Sequence, residues 1–522
     1  MKNLCRILIF IWIALLLLPA GAHAEQQDAH SESPDDADEP AFGALTGHDD
    51  AWRKEREKAY KSIEKNAKAE GIYVADACDI TRGYFARKEH VGIHPASTTK
   101  IMTALVILEQ CALDEKETAP QEATRLGGSD SLMGLLKNET LTVEELLYGL
   151  MLCSGNDAAV TLAFHLSGSE DAFGKVMDDR AKELGMTDTH FTNPSGKNRN
   201  GNVSSAYDMT LLTQVALQNE TFRTIVSTVS YTIQPNDVRK KAMVMTNRNK
   251  LISDPPGKGY YYEYAIGVKT GSTGTGNSLI AAATKEDVTI ICSQLGVTGD
   301  DFGLRSKELF KRARELFEYV FTYEYDHVTA ETMLAGKTLT VAVENARVTD
   351  PENGMLALNV GTEDVTVFRP IAEIESLLSG KAEFAVTFDA SPTAPISEGQ
   401  HVANAIFSYG GRVWFTLPVY ASRSVEEFVP ADLYTPTPAP TPTPPPLSET
   451  PTPLAPVTIE GETLTASPAP LTPAPTGAPD AAPVEMRQKN EPNLKTFLWA
   501  PIALVLLFGA LAGLLIYRRK HK

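Results

Sequence analysis

The sequence has few of the residues that metal centres and disulfide frameworks require. Five cysteines are spread over 522 residues without a Cys-x-x-Cys pair, which argues against zinc-ribbon and thioredoxin-like folds. No His-Glu-x-x-His string suggests a zinc peptidase, and the absence of Gly-x-Ser-x-Gly disfavours a Ser-His-Asp hydrolase. Four cysteines remain beyond Cys5: Cys78, Cys111, Cys153 and Cys292. Three of the four lie in apolar contexts and are most simply buried thiols, and one disulfide is left open.

Positive charge is also scarce. The chain has 48 lysines and arginines against 66 acidic residues, a formal net charge of −18. Nucleic-acid binding needs a basic surface, so this balance argues against a nucleic-acid partner. Residues 25–50 contain no lysine or arginine, and their acidic composition predicts a disordered spacer. The length of the chain predicts two or three domains.

Both ends of the chain are hydrophobic. Residues 1–24 combine early basic residues, a short apolar run and a small-x-small sequence, which predicts a secretory signal peptide cleaved after Ala24. An uncleaved anchor is the weaker alternative, because the run is short for a membrane span. Residues 497–517 are long and apolar enough to cross a bilayer, and a basic tail, 518–522, follows directly. This arrangement predicts one span in the cytoplasmic membrane, with the body of the chain outside.

Residues 51–325 show the pattern of one domain with strands at its two ends and helices between them. Helices are predicted over 51–71, 99–111, 142–153, 156–168, 169–185 and 302–321. Strands are predicted over 71–78, 83–90, 265–271, 278–286 and 288–296. Since strands from both ends must meet around the helical middle, we expect an α/β or α+β domain with one antiparallel sheet.

The character of the sequence changes after this domain. Residues 328–428 contain short alternating runs that predict a small all-β domain without a catalytic cluster of titratable residues. Residues 434–484 are rich in Pro, Thr and Ala, cannot build a core, and predict an extended polyproline II stalk. At ~3.1 Å per residue, such a stalk could hold the domains roughly 150 Å from the membrane.

Ser97 and Lys100 stand at the start of the apolar segment 99–111. Positions three apart share one face of a helix, so the hydroxyl and the amine can touch. A serine is a weak nucleophile until a base takes its proton, and a lysine can be that base when partial burial lowers its pKa. The helix N-terminus also offers backbone N–H groups to a developing oxyanion. Alone, Ser-x-x-Lys is a weak signal, because a capped helix with a solvent-facing lysine also fits it.

Two further fragments follow in order, Ser154-Gly155-Asn156 and Lys269-Thr270-Gly271. Ser-x-x-Lys, Ser-x-Asn and Lys-Thr-Gly together are the signature of penicillin-binding proteins and class A β-lactamases. Longer stretches resemble the low-molecular-mass D-alanyl-D-alanine carboxypeptidases: PASTTKIMTAL, LTVEELLYGLMLCSGNDAA, AKELGMTDTHFTNPSG, GVKTGSTGTG and APISEGQHVANAIF. The resemblance implies a penicillin-binding, serine β-lactamase-like catalytic domain with an antiparallel sheet flanked by helices, followed by a small all-β domain.

The resemblance also implies an activity. The protein would be a serine-type D-Ala-D-Ala carboxypeptidase that removes the terminal D-alanine from peptidoglycan stem peptides. β-Lactam antibiotics would inhibit it by acylation, and the reaction would need no cofactor and no metal. Ser97 would be the acylated nucleophile, Lys100 its general base, and Ser154 a proton relay to the leaving amine.

The remaining motif residues would bind the substrate. Asn156 would bond the peptide backbone of the substrate and help to hold the base. Lys269 and Thr270 would bind the terminal carboxylate, and Gly271 would let the substrate approach the strand. The backbone N–H of Ser272 would form the oxyanion hole together with that of the nucleophile. Repulsion between the two lysines would help to keep the base neutral.

Two positions depart from the family pattern. Lys197 stands where the family commonly has leucine after Asn-Pro-x-Gly, and residues 202–208 lack a histidine that is common there. These departures concern substrate preference more than the type of reaction.

Three alternatives are weaker. A class A β-lactamase needs a deacylating glutamate in a Glu-x-x-Leu-Asn-like loop, and no such string occurs between Asn156 and Lys269. A DD-endopeptidase would cut cross-links with the same residues, and the sequence hardly separates it from a carboxypeptidase. A catalytically dead wall-binding protein is disfavoured because every motif residue is present.

Overall fold

The computed structural model describes residues 48–197, 201–274, 276–298, 302–429 and 463–465. The predicted signal peptide, almost all of the acidic spacer and the predicted membrane span, 497–517, lie outside these residues. Within the described ranges, no helix is both long and apolar enough to cross a membrane.

The catalytic region alternates short strands with helices. It begins with α1 (Asp50–Asn66), β1 (Gly71–Asp76), β2 (Gly83–Arg87), a 3-10 turn (Ala96–Thr99), α2 (Lys100–Gln110), β3 (Lys116–Thr118), α3 (Gln121–Thr124), β4 (Thr140–Thr142), α4 (Val143–Leu152) and α5 (Asn156–Ser167). It continues with α6 (Glu170–Glu183), α7 (Ala206–Gln218), α8 (Glu220–Ser227), β5 (Ser230–Ile233), β6 (Met243–Thr246), α9 (Lys250–Ser253), β7 (Ala265–Ser272), β8 (Gly276–Lys285), β9 (Val288–Thr298) and α10 (Phe302–Tyr323).

The central sheet has the strand order β2-β1-β9-β8-β7, and its neighbouring strands are antiparallel. β1 pairs with β9, so that Ile72 lies opposite Gln294. Strands from the two ends of the domain therefore meet around the helical middle, and the predicted antiparallel sheet is confirmed.

Alternating side chains on the sheet serve two separate cores. On β1, Ile72 and Val74 pack with α1 and α10 on one face, whereas Tyr73 and Ala75 pack with the helical middle on the other. Successive strand residues point to opposite faces, so a strand that is buried on both sides is apolar along its length except where a charged side chain such as Asp76 has buried partners. This explains why β1 has six buried residues in succession.

Local capping fixes where the helices start. Thr142 accepts a hydrogen bond from the N–H of Glu145, whose carboxylate reaches back to the N–H of Thr142, a complete capping box. Ser169 caps α6 through the N–H of Ala172, which confirms the helix start predicted there. The helix predicted over 51–71 ends earlier, at Asn66, because the following residues turn into β1.

A second, β-rich module follows. It contains β10 (Tyr325–Thr329), α11 (Ala330–Leu334), β11 (Thr338–Ala342), β12 (Met355–Val360), β13 (Thr366–Pro370), α12 (Ile371–Leu378), β14 (Ala385–Phe388), β15 (His401–Tyr409), β16 (Arg412–Ala421) and β17 (Thr463–Thr465). One sheet has the order β14-β15-β16-β12-β11-β17, and β10 pairs with β13.

Two features correct the sequence analysis here. The module is not all-β, because α12 follows Pro370 and buries Ile371, Ile374 and Leu377 at helical spacing. The prediction of an extended stalk is wrong at residues 463–465, which form β17 and pair with β11. The segment 457–467 contains no proline, so each of its backbone N–H groups is free to join a ladder.

Charged side chains join the two modules. Asp76 is fully buried at the end of β1. It accepts a hydrogen bond from the Tyr325 hydroxyl (2.6 Å) and forms an ion pair with Arg412. Arg369 Nη1 lies 2.9 Å from Asp287 Oδ1. A buried carboxylate needs such partners to offset its lost hydration, so these contacts fix the module against the catalytic sheet.

All four described cysteines are free. Cys292 is fully buried, Cys111 and Cys153 are partly buried, and Cys78 is exposed. The prediction of three buried thiols therefore holds fully for Cys292 and only in part for Cys111 and Cys153.

Candidate active site

The 3-10 turn presents Ser97, and α2 begins at Lys100 immediately after it. Nearly every side of α2 is apolar and buried, so its first residue is drawn into the interior and Lys100 is 0 % exposed. Ala96 has a φ of 55°, a left-handed conformation that costs a non-glycine residue about 1–3 kcal/mol. Packing around the turn therefore holds the backbone before Ser97 in a conformation that it would not adopt alone.

Three oxygens surround the amine of Lys100. Its Nζ lies 3.1 Å from Ser97 Oγ, 2.8 Å from Asn156 Oδ1 and 2.5 Å from the carbonyl oxygen of Ser195. Burial lowers the pKa of Lys100 well below its usual range, and the positive charge of Lys269 lowers it further. The structure thus brings the predicted nucleophile and base into contact and favours the neutral amine.

Asn156 connects this amine to a second charged pair. Its Oδ1 accepts from Lys100, while its Nδ2 donates to Asp130 Oδ1 at 2.9 Å. Asp130 in turn lies 2.6 Å from Lys197 Nζ. Because both ends of the Asn156 amide are engaged, its orientation toward the base is fixed.

Ser154 is placed differently from the other motif residues. It lies just before α5 with a φ of 59° and is 2 % exposed, and its Oγ has no hydrogen-bond partner among the residues that the structure describes. A buried hydroxyl without a partner costs about 1–3 kcal/mol, and such orphans are rare in native proteins. Ser154 lines the same cavity as Ser97, so its hydroxyl lies next to the space that a substrate would fill.

Lys269 and Thr270 lie on β7, at the edge of the central sheet. Lys269 is 1 % exposed, and its Nζ donates to the carbonyl of Thr270 at 2.9 Å. Burial and the nearby charge of Arg248 lower the pKa of Lys269 to about 7. This ammonium therefore titrates in the neutral range and holds its charge best when an anion lies beside it.

Gly271 brings β7 close to the turn that carries the nucleophile. A Cβ atom on Gly271 would lie 3.0 Å from the carbonyl oxygen of Pro95 and 3.3 Å from the Cβ of Ala96. A side chain at this position would crowd the turn, so its absence lets the strand lie this close. The predicted role of Gly271 in admitting the substrate stays a prediction.

Two cavities meet at the nucleophile. They have volumes of about 610 and 830 Å³ and share Ser97, Ser131, Arg248 and Ser272 as lining residues. The smaller cavity extends along Ser154, Thr270 and Gly271, and the larger one extends along Asn156, Ser195 and Lys197. An extended peptide could therefore run through the site with its scissile bond at Ser97.

Comparison with known proteins identifies the family. The profile of the D-alanyl-D-alanine carboxypeptidase family, peptidase S11, matches residues 75–299. A D-alanyl-D-alanine carboxypeptidase of Streptomyces sp. (strain K15) is 37% identical over 218 residues, 39% of this chain and 72% of the relative. The chain belongs to the D-alanyl-D-alanine carboxypeptidase family. This membership confirms the predicted enzyme class, a serine-type D-Ala-D-Ala carboxypeptidase.

Other relatives match over a longer part of the chain. D-alanyl-D-alanine carboxypeptidase DacF of Bacillus subtilis is 29% identical over 389 residues, which cover 73% of this chain and 92% of DacF. Among solved structures, penicillin-binding protein 5 of Haemophilus influenzae is 23% identical, with a TM-score of 0.45, and the match covers 69% of this chain and 98% of that one.

Several side chains that shape the site of this carboxypeptidase lie outside the motifs from which the site was predicted. Arg248 lines both cavities, and its Nη1 donates to Ser131 Oγ at 2.7 Å. Asp157 is buried and accepts the backbone N–H groups of residues 133, 134 and 135 at 2.8–3.0 Å, which pins the loop beside the cleft. Asp157 directly follows the Ser-x-Asn motif, so its position alone could have suggested a supporting role.

Another missed residue shapes the loop that reaches the base. Asn193 Oδ1 accepts the N–H groups of Ser195, Gly196 and Lys197. This cradle holds the loop that carries the Ser195 carbonyl, which contacts Lys100. Lys197, the departure from the family pattern, lies on the same loop and lines the larger cavity.

Proposed function

We propose that Ser97, Lys100 and Ser154 carry the reaction and that it proceeds through an acyl-enzyme on Ser97. The three oxygens around Lys100 Nζ carry this proposal. A neutral amine has two N–H donors and one lone pair. Asn156 Oδ1 and the Ser195 carbonyl can only accept at these contacts, so they take the two donors and leave the lone pair for the hydroxyl of Ser97.

The proton path follows from this arrangement. Ser97 attacks the carbonyl between the last two D-alanine residues as its proton passes to Lys100. The backbone N–H groups of Ser97 and Ser272 stabilise the oxyanion. Ser154, whose buried hydroxyl has no partner among the described residues, gives its proton to the leaving amine of D-alanine and receives in its place the proton that Lys100 took from Ser97. Water then hydrolyses the acyl-enzyme on Ser97, and the enzyme is restored without a cofactor.

Cationic and hydroxyl groups select a substrate that ends in a carboxylate. Lys269 and Arg248 lie near each other, and Thr270 lines the cavity beside Ser97. A buried ammonium without a fixed carboxylate partner is costly, and a substrate carboxylate would relieve that cost. We infer that peptidoglycan stem peptides ending in D-Ala-D-Ala are the substrate and that β-lactams acylate Ser97 in their place. Asn156 would also bond the peptide backbone of the substrate.

The location is inferred from the sequence. The signal peptide and the C-terminal span predicted there would place the catalytic domain outside the cytoplasmic membrane, where stem peptides are exposed. The segment 434–484 would separate the catalytic domain from the membrane span, except where residues 463–465 join the β-rich module.

D-Alanine release tests the function directly. Full-length protein in detergent is incubated with a pentapeptide that ends in D-Ala-D-Ala, and free D-alanine is measured. We expect continuous release that stops after penicillin treatment, with a penicillin adduct on the tryptic peptide that contains Ser97. Release only from cross-linked muropeptides would support the endopeptidase alternative, and the absence of both release and adduct would contradict an acyl-enzyme reaction.

The pH profile should reveal the carboxylate-binding role of Lys269. Since its pKa is about 7 in the free enzyme, the protonated, binding-competent form declines above that pH. We expect kcat/KM to fall about tenfold per pH unit on the alkaline side. In Lys269→Arg, whose guanidinium stays protonated, this alkaline decline should disappear even if the absolute rate is lower.

Lys250→Arg provides a matched control, because Lys250 is exposed at the edge of the same cavity. That variant should keep the alkaline decline of the parent. An alkaline limb that persists unchanged in Lys269→Arg would show that another group controls it.

A further inference from the structure

A mixed cluster of electron-pair donors lies away from the catalytic cleft. Cys111, Glu115 and His165 place a thiol sulfur, a carboxylate oxygen and a ring nitrogen all within 4.8 Å of one another. His165 Nε2 is 2.8 Å from Glu115 Oε2, and its Nδ1 is 3.1 Å from Glu117 Oε2. We call these four residues the Cys111 cluster.

The cluster can be reached from solvent. The side chains of His165, Glu117 and Glu115 are 13%, 29% and 45% exposed, and Cys111 is partly buried. An ion could therefore enter without opening the core. The catalytic mechanism uses none of these side chains, so a role for them must be sought elsewhere.

The donor types narrow the kind of ion. Thiolate, imidazole and carboxylate are the ligands of zinc, whereas magnesium and calcium select oxygen atoms alone. Ligands about 2.0–2.3 Å from a tetrahedral zinc ion lie roughly 3.3–3.8 Å apart. Small side-chain rotations would bring atoms that already lie within 4.8 Å to that spacing.

The position of the cluster in the fold suggests what an ion would do. Cys111 directly follows α2, the helix that begins at Lys100, and His165 lies in the last turn of α5, the helix that begins at Asn156. At 1.5 Å per residue, each helix spans roughly 16–18 Å. The cluster therefore joins the far ends of the two helices whose near ends carry the nucleophile, the base and the amide that orients it.

We propose that Cys111, Glu115 and His165 bind a zinc-type divalent cation that clamps α2 to α5, while Glu117 stays on the other ring nitrogen of His165 and orients the ring. The thiol proton of Cys111 and any proton on the coordinating ring nitrogen are released to solvent as the bonds to the metal form. The ion would lie at the ends of α2 and α5 that are far from Lys100 and Asn156, so its role is structural and the reaction at Ser97 remains independent of metal chemistry.

Cobalt binding tests the site by spectroscopy. Full-length protein without a histidine tag is titrated with Co²⁺ under a non-chelating reductant. We expect one ion per chain, with the visible bands of tetrahedral cobalt, a cobalt–thiolate charge-transfer band, and displacement of both by Zn²⁺. Cys111→Ser should lose the thiolate band and bind Zn²⁺ at least about 100-fold more weakly. Cys78→Ser, which removes an exposed thiol outside the cluster, should behave as the parent.

Thermal unfolding gives a second readout. Zn²⁺ should raise the unfolding midpoint of the parent and of Cys78→Ser, because an ion that binds only the folded state stabilises it. The midpoint of His165→Asn should not respond, and this variant decides the case if Cys111→Ser does not fold. A cobalt spectrum without a thiolate band, or a zinc-induced shift that survives in both cluster variants, overturns the proposal.

Discussion

Ser97→Ala is expected to lose D-alanine release by about 10⁵–10⁶-fold, the scale seen when a serine hydrolase loses its nucleophile. The change removes one oxygen atom and leaves the contacts of Lys100 with Asn156 and Ser195 in place. The site should therefore stay formed, and the substrate should still bind. Release assays and mass spectrometry of the penicillin-treated variant measure the two consequences, residual turnover and the missing adduct.

The control for this variant is Ser62→Ala. Ser62 is exposed on α1, which packs against the face of the sheet opposite the helical middle. Its loss should leave both release and labelling unchanged. A stoichiometric penicillin adduct on another residue of Ser97→Ala would contradict our assignment, and Ser154 would then be the first position to examine.

The sequence predicted the elements that carry the catalytic groups because the relevant signals are local. The Ser-x-x-Lys spacing puts both groups on one helical face, and Ser169 caps the helix predicted after it. The apolar strands from the two ends of the domain pair in one sheet, because neither end alone has enough strands to bury both of its faces.

What the sequence could not predict depends on contacts between distant segments. The Ser195 carbonyl contacts Lys100 across 95 positions of sequence, and a backbone oxygen leaves no trace in the choice of side chain. Arg248 precedes a short helix without any motif around it, so only the fold brings it beside Ser131. The packing of Gly271 could not be predicted either. It lies against the turn before Ser97, and no local sequence pattern links that turn to β7.

The two buried lysines differ in what holds them. Lys100 donates to two fixed acceptors, whereas Lys269 donates to the carbonyl of the adjacent Thr270. Removing Lys100 leaves two buried oxygens without a donor, at about 1–3 kcal/mol each, and this offsets the gain from removing a buried amine. Removing Lys269 removes the free-energy cost of burying its amine, and only the hydrogen bond to the Thr270 carbonyl is lost in exchange.

Lys269→Met should therefore unfold at a higher temperature than the parent, and Lys100→Met should not. The folded-state pKa of Lys269 lies near 7, below the usual 10.5, so the unfolded chain binds more protons between these values. The resulting penalty is fully present below about pH 7 and disappears as the pH rises toward 10.5. The gain in Lys269→Met should follow the same course when unfolding is measured across this range.

Lys100→Met should at the same time slow acylation by penicillin about 10³–10⁴-fold, the upper range for loss of a general base. Ser97 remains in place, so the residual rate reports an unactivated hydroxyl in an intact oxyanion site. The second-order rate constant for acylation is the quantity to measure, because it excludes deacylation. Acylation at the rate of the parent would show that the proton leaves Ser97 by another route, through Ser154 toward Lys269. In that case Lys100 would have a structural role only, and the three oxygens around its amine would hold it in place without its acting as a base.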